Sequence, residues 1–216
     1  MRVRLRNALL PTLSLAAVAA FAACGDDDPT GVQGDPLSES EVQAVFAAMT
    51  GAFSSLGSPS ASPVMDGVVP QPSAAPVDVT ETFDLTLPCA VSGSMAAVGS
   101  LSGVVDDETF DTDVSYALTI TPAGCTVSSP ETTVVVDGDP SITIMMDMVF
   151  DETSFLIDGS YQGGLAYTTG DGRAGSCGIR LNFSISANTS TGATEQSVTG
   201  KVCGVSGNQF QAYMPA

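Results

Sequence analysis

Cys177-Gly178-Ile179-Arg180-Leu181-Asn182-Phe183-Ser184-Ile185-Ser186 alternates apolar and polar or small residues without a break. Successive side chains of an extended chain point to opposite faces. Cys177, Ile179, Leu181, Phe183 and Ile185 therefore share a dry face, while Gly178, Arg180, Asn182, Ser184 and Ser186 meet water. This is the pattern of a strand in an antiparallel sheet with one solvated side. The same period recurs upstream. Phe83, Leu85 and Leu87 alternate with Thr82, Asp84 and Thr86; Phe110, Val114, Tyr116, Leu118 and Ile120 alternate with Asp111, Asp113, Ser115, Ala117 and Thr119; Ile142, Ile144, Met146, Met148 and Phe150 share one side. Turn-forming clusters punctuate these runs at Asp106-Asp107-Glu108, Pro122-Ala123-Gly124, Asp137-Gly138-Asp139-Pro140, Asp151-Glu152, Gly170-Asp171-Gly172 and Ser190-Thr191-Gly192. Residues 77–216 are expected to form a mainly β domain, an antiparallel β-sandwich or up-and-down β-barrel of about 9–10 strands with the strand order open.

Before Val77 the period is different. Ser38-Glu39-Ser40-Glu41 fits the S-x-x-E capping box, and Val42, Val45, Phe46, Met49, Phe53 and Leu56 recur at helical spacing. One amphipathic α-helix is expected over 38–56, lying with its apolar stripe on the β domain or over one open end of it. The run of small residues from Ser92 to Gly103 is the expected docking surface, since it lets another element approach closely. Residues 57–76 carry Pro59, Pro63, Pro70, Pro72 and Pro76 among serines and alanines and read as a linker. Residues 24–37 are acidic, have little to bury, and read as a tether.

The N-terminus explains what is tethered. Arg2, Arg4 and Arg6 precede an apolar run from Ala8 to Ala23, interrupted at Pro11 and too short to span a bilayer comfortably. Together these are the parts of a secretory signal peptide over residues 1–23. The closing Phe21-Ala22-Ala23-Cys24 resembles the lipobox of bacterial lipoproteins, in which the cysteine receives a diacylglycerol and becomes the new N-terminus. The resemblance implies lipidation at Cys24 and membrane attachment through acyl chains. One chain alone holds a protein marginally, and two or three hold it stably. Gly25, where aspartate would favour the inner membrane, implies outer-membrane sorting.

Composition limits the partners. Three of the six basic residues leave with the signal peptide, so 24 acidic residues face three cations, Arg173, Arg180 and Lys201, for a net charge of −21. Such a body repels phosphate backbones, and nucleic acid is excluded. It also repels anionic headgroups over about 8 Å at physiological salt, so only the anchor supplies attraction to the membrane.

The chemistry available is narrow. There is no histidine, so serine and cysteine nucleophiles have no imidazole base and histidine-ligated metal sites cannot form. Lys201 lies four residues after Ser197 and misses the S-x-x-K spacing. Gly170-Asp171-Gly172-Arg173-Ala174-Gly175 matches G-x-G-x-x-G, but a strand pattern follows where a dinucleotide fold needs a helix, so it reads as a hairpin loop. Asp106, Asp107, Glu108, Asp111 and Asp113 lack the spacing of a calcium loop and read as a solvated turn. Met146 and Met148 fall on the apolar side of their strand and Met145 on the other, which suits core packing rather than copper. No catalytic, cofactor or metal residue is expected.

The expected role is a non-enzymatic, lipid-anchored cell-envelope protein whose β domain is structural or binds an envelope partner. The alternative is a carrier of a small apolar ligand in a barrel cavity, resembling lipocalins but lacking their G-x-W motif. Five cysteines less Cys24 leave an even number, with the pairs Cys89–Cys125 and Cys177–Cys203 expected because each joins neighbouring strands. Alkylation of the unfolded, unreduced chain should find none of these four thiols free; recovering either pair as thiols would refute the pairing.

Overall fold

The computed structural model describes residues 31–56, 76–106, 108–109, 111–138 and 140–213, with the backbone alone for 52–56. The signal segment, Cys24, the linker residues 57–75, and Asp107, Phe110 and Asp139 lie outside the described residues. Ten strands form one antiparallel sheet: β1 (Val32–Gly34), β2 (Val77–Pro88), β3 (Ser92–Val105), β4 (Thr112–Ser128), β5 (Thr133–Asp137), β6 (Ile142–Phe150), β7 (Ser154–Thr169), β8 (Ala174–Asn188), β9 (Ala193–Val202) and β10 (Val205–Ser206). Helix α1 (Glu39–Leu56) precedes β2, and a 3-10 helix (Gly207–Tyr213) follows β10.

The order is up-and-down, with two strands sharing one place. β5 pairs with β4 through Cys125↔Val136 and β6 pairs with it through Ile120↔Ile142, both antiparallel, and both also pair with β7. They are two segments of a single line running between β4 and β7. No reversal separates β5, which ends at Asp137, from β6, which begins at Ile142, where one was expected at 137–140. Pro122-Ala123-Gly124 is likewise not a turn, because it lies inside the 17-residue β4. The Gly and Pro signal is the same for a bulge as for a turn.

The irregularity in β4 decides which way its second half faces. Up to it, the buried residues are Val114, Leu118 and Ile120; beyond it they are Cys125 and Val127, so the inward parity changes. Gly124 has φ +57°, the facing Gly93 has φ +86°, and the β3–β4 register shifts between Ser92 and Ser94. A Cβ on Gly93 would run into the Gly124 carbonyl, so only glycine permits the approach. The change of parity turns Cys125 inward, where it joins Cys89 with Cα atoms 5.5 Å apart. The second disulfide, Cys177–Cys203, ties β8 to the two-residue turn between β9 and β10, with Cα atoms 4.8 Å apart. Cys203 and Gly204 both have positive φ there, 50° and 81°, as a type I′ hairpin turn requires.

Helix α1 lies on the inner face of the sheet against β4, β5 and the 3-10 helix. This corrects the expected docking on Ser92–Gly103. Between Ser40 and Thr50 every helix residue is buried or half-buried, so the surroundings cover its alanine-rich side as well as its apolar stripe. Val42, Val45, Phe46 and Met49 join Ile120, Val134, Ile144, Leu165, Leu181 and Phe210 in one core. The Phe46 ring meets Tyr161 edge-on at 5.5 Å and Phe210 at 4.8 Å. The small residues of β3 serve a different purpose: Phe83 lies directly across from Gly99, and a Cβ there would come within 2.8 Å of its ring. Gly159 and Phe183 repeat the arrangement on β7 and β8. In both pairs an aromatic ring covers a cross-strand glycine on the inner face.

The end of the expected tether is ordered. Val32↔Cys177 and Gly34↔Gly175 place β1 on β8, in line with β9 beyond Val202, and Leu37 is buried. Three residues with one valine carry no readable period, so nothing local announced this strand.

Gly159→Ala should test the ring-over-glycine packing. The new Cβ would lie 2.5 Å from Cε1 of the buried Phe183 ring. A loss of about 1–3 kcal/mol in urea unfolding is expected, as for other overpacked sites. Gly51→Ala, with open space around it, should be neutral or stabilising.

Candidate functional site

Two places on the molecule concentrate its few unusual groups: the junction that holds the N-terminal segment, and the outer edge of β2. The junction is built from the capping box. Glu41 Oε2 accepts the Ser38 N–H at 2.7 Å and the Ser38 hydroxyl accepts the Glu41 N–H at 3.3 Å, so the helix N-terminus is closed in both directions. The same carboxylate, fully buried, takes two bonds from Arg173, at 3.1 Å from Nη1 and 2.5 Å from Nη2. Nη1 also donates to the Pro36 carbonyl at 2.9 Å, and Nε donates to Asp171 at 3.0 Å.

The β7–β8 loop presents Arg173 at this point. Thr169 donates its hydroxyl to Asp171 and accepts the Arg173 N–H at 3.0 Å, which fixes the turn. Gly170-Asp171-Gly172-Arg173 is accordingly a hairpin loop that grips a helix of its own chain, and Ala174-Gly175 open β8. Beside it, the Tyr167 hydroxyl donates to the Asp35 carbonyl at 2.7 Å, and Asp35 N–H donates to Ala174. Arg173's bonds hold the Glu41 carboxyl below its ordinary range, outweighing the burial that pushes it up. The Thr169 hydroxyl, then Arg173, does the same for Asp171. The Arg173 guanidinium is in turn raised, first by Glu41 and then by Asp171.

Other shifted groups have structural causes. Asp151 is held at about 2, first by the Ser154 hydroxyl and then by Thr153, within the β6–β7 turn. Burial raises Tyr161 to about 12 inside the core. Asp106 caps its own turn by accepting the Glu108 and Thr109 N–H groups. Among the described residues no group of three or more acidic or cysteine side chains is placed to hold a metal ion. Met145 points outward and is exposed, whereas Met146 and Met148 face inward and are half-buried. Cys24 lies outside the described residues, and the four remaining cysteines are brought together as two pairs.

Sequence reasoning picked out Glu41 as a cap but not its partner. The available signal was scarcity: Arg173 is one of only three cations after residue 23.

The second place is β2. It forms one end of the sheet order and pairs only with β3. Its 12 residues, Val77–Pro88, are exposed or half-buried throughout, and they include Asp78, Glu81 and Asp84 with no basic residue. Phe83, Leu85 and Leu87 are half-buried on its inner side, packed against the core. The opposite edge is covered in part: β10 pairs with Lys201 and Val202 of β9, the 3-10 helix packs against β9, and the Gln196 side chain donates to the Gln211 carbonyl. β2 is the longest edge with no strand along any of its outer side among the described residues, a row of backbone donors and acceptors.

No family model matches the chain, and no curated protein and no solved structure matches it.

Arg173→Met should lower the urea midpoint more than Asp171→Asn does, because it leaves the buried Glu41 carboxylate without its cation, whereas the Asp171 side chain is 52% exposed. The depressed Glu41 pKa also gives a sign. Its contribution to stability is present above the unfolded value of 4.5 and is lost as pH falls through the folded value. Denaturation curves measured below pH 4.5 should therefore show a shallower decline for Glu41→Gln than for the wild type.

Proposed function

We propose that this is a non-enzymatic protein of the bacterial cell envelope, anchored through acyl chains on Cys24, whose β domain binds a partner there. The observation that carries the reading is the arithmetic of the thiols. The four cysteines of the β domain pair with one another, which leaves Cys24 as the odd one, at the end of an apolar stretch that resembles a lipobox. Paired cysteines belong to an oxidising compartment, and a leader ending just before Cys24 supplies the route to one.

Three further observations agree with it. The absence of histidine removes the commonest acid–base catalyst. The net charge of −21 keeps the body off an anionic membrane and off nucleic acid, leaving proteins and the anchor itself as contacts. Against the lipocalin-like alternative stands the use of the inner face: Phe46, Met49 and Phe210 fill the place a carried ligand would need. Gly25 after the cysteine favours the outer membrane over the inner.

Mass spectrometry of the chain from its producing cells should find a mature N-terminus at Cys24, carrying a diacylglycerol. The Cys24→Ser variant should carry no diacylglycerol and should not yield that mature N-terminus. A chain that keeps Met1, or begins elsewhere without lipid, would overturn the anchor.

A further inference from the structure

The open edge of β2 specifies a partner more narrowly than the reading above, on which this inference rests. We propose that β2 pairs with an extended segment of an envelope protein, one that alternates apolar side chains with lysine or arginine. Strand addition of this kind gets its affinity from main-chain hydrogen bonds and its selectivity from alternate side chains.

Topology favours an added strand over closure of the sheet on itself. Counting β5 and β6 as one, the meander from β2 to β9 has seven strand positions, each antiparallel to the next. An odd number leaves β2 and β9 pointing the same way, so an antiparallel ladder cannot join them, and β10, which does run opposite to β2, offers only the two residues Val205 and Ser206. A strand beside β2, running antiparallel to it, extends the sheet with the pairing it already uses. Its inward side chains would continue the apolar surface of Phe83, Leu85 and Leu87, and its outward ones would lie beside Asp78 and Asp84. Glu81, on the inward parity yet exposed, adds a third carboxylate near the same edge.

Charge then selects among occupants. A second copy would set three carboxylates of one β2 against three of another, and like charges across a strand pair are unfavourable. The chain's own residues 25–30 carry three aspartates and meet the same repulsion, and residues 57–76 contain five prolines that cannot donate to a ladder. A basic segment from a different protein has neither handicap.

The test uses the full mature protein, purified in mild detergent with its disulfides intact. The probe is a synthetic peptide matched to the 12 residues of β2, alternating valine with lysine, and a second peptide with glutamate in place of each lysine. The lysine peptide should slow hydrogen exchange of those 77–88 amides that point away from β3 by roughly tenfold or more, with weakening as salt rises. The glutamate peptide should not, and Asp78→Lys with Asp84→Lys should abolish the preference. Equal protection by both peptides, or protection confined to other strands, would overturn the proposal. So would protection, in the free monomer, of the β2 amides that point away from β3, which would mean that the chain covers its own edge, or their protection in a self-associated dimer, which would make a second copy the occupant. Acylation of Cys24 is read from mass alone, so either proposal can fail while the other stands.

Discussion

A carboxylate with no exposure to water holds the N-terminal segment of this protein in place. Glu41 is buried at the first turn of α1, and its charge is met by the Ser38 N–H and by two nitrogens of Arg173. Removing ions from water is costly, and a buried pair repays that cost only when its geometry is good and its other hydrogen bonds are made. Here both conditions hold, because Arg173 also grips the Pro36 carbonyl and Asp171. The pair fixes where the helix begins relative to the β7–β8 loop. From that point the turns of α1 bring Val42, Val45, Phe46 and Met49 onto the sheet in a definite order.

The sheet is shaped to receive the helix by small departures from regularity. The Gly93/Gly124 irregularity reverses the parity of β4, so that Cys125 and Val127 continue the inner face that Leu118 and Ile120 began. Glycines across from Phe83 and Phe183 let those rings lie over the neighbouring strand instead of standing upright. The break between β5 and β6 lets one line of chain serve both halves of β4 and β7. None of these features changes the strand order, which remains a meander.

Much of this was legible in the residues. Alternation in 142–150 and 177–186 marked β6 and β8 and their inner faces, and Ser38 with Glu41 marked the helix start. The nine strands within residues 77–216 and both disulfides agree with the expectation from period and cysteine parity. What escaped was non-local. β1 is made a strand by β8, not by its own three residues, and Pro122-Ala123-Gly124 reads the same whether the chain reverses or bulges. The helix's site depended on Arg173 reaching across 132 positions, a distance no periodicity spans. The smooth run in β3 suggested a docked helix, whereas its glycine accommodates a ring from the adjacent strand.

The short strand β1 has a mechanical consequence. Any tension on the N-terminus arrives first at Val32–Gly34, whose rungs to β8 must part before load passes to the Tyr167–Asp35 contact, and then to Arg173 at Pro36 and Glu41. The fasteners are arranged in series along the chain, backbone rungs outermost and the charged pair innermost. A tug at the leading end is thus spent on a sacrificial three-residue zipper before it can draw the helix out of its seat.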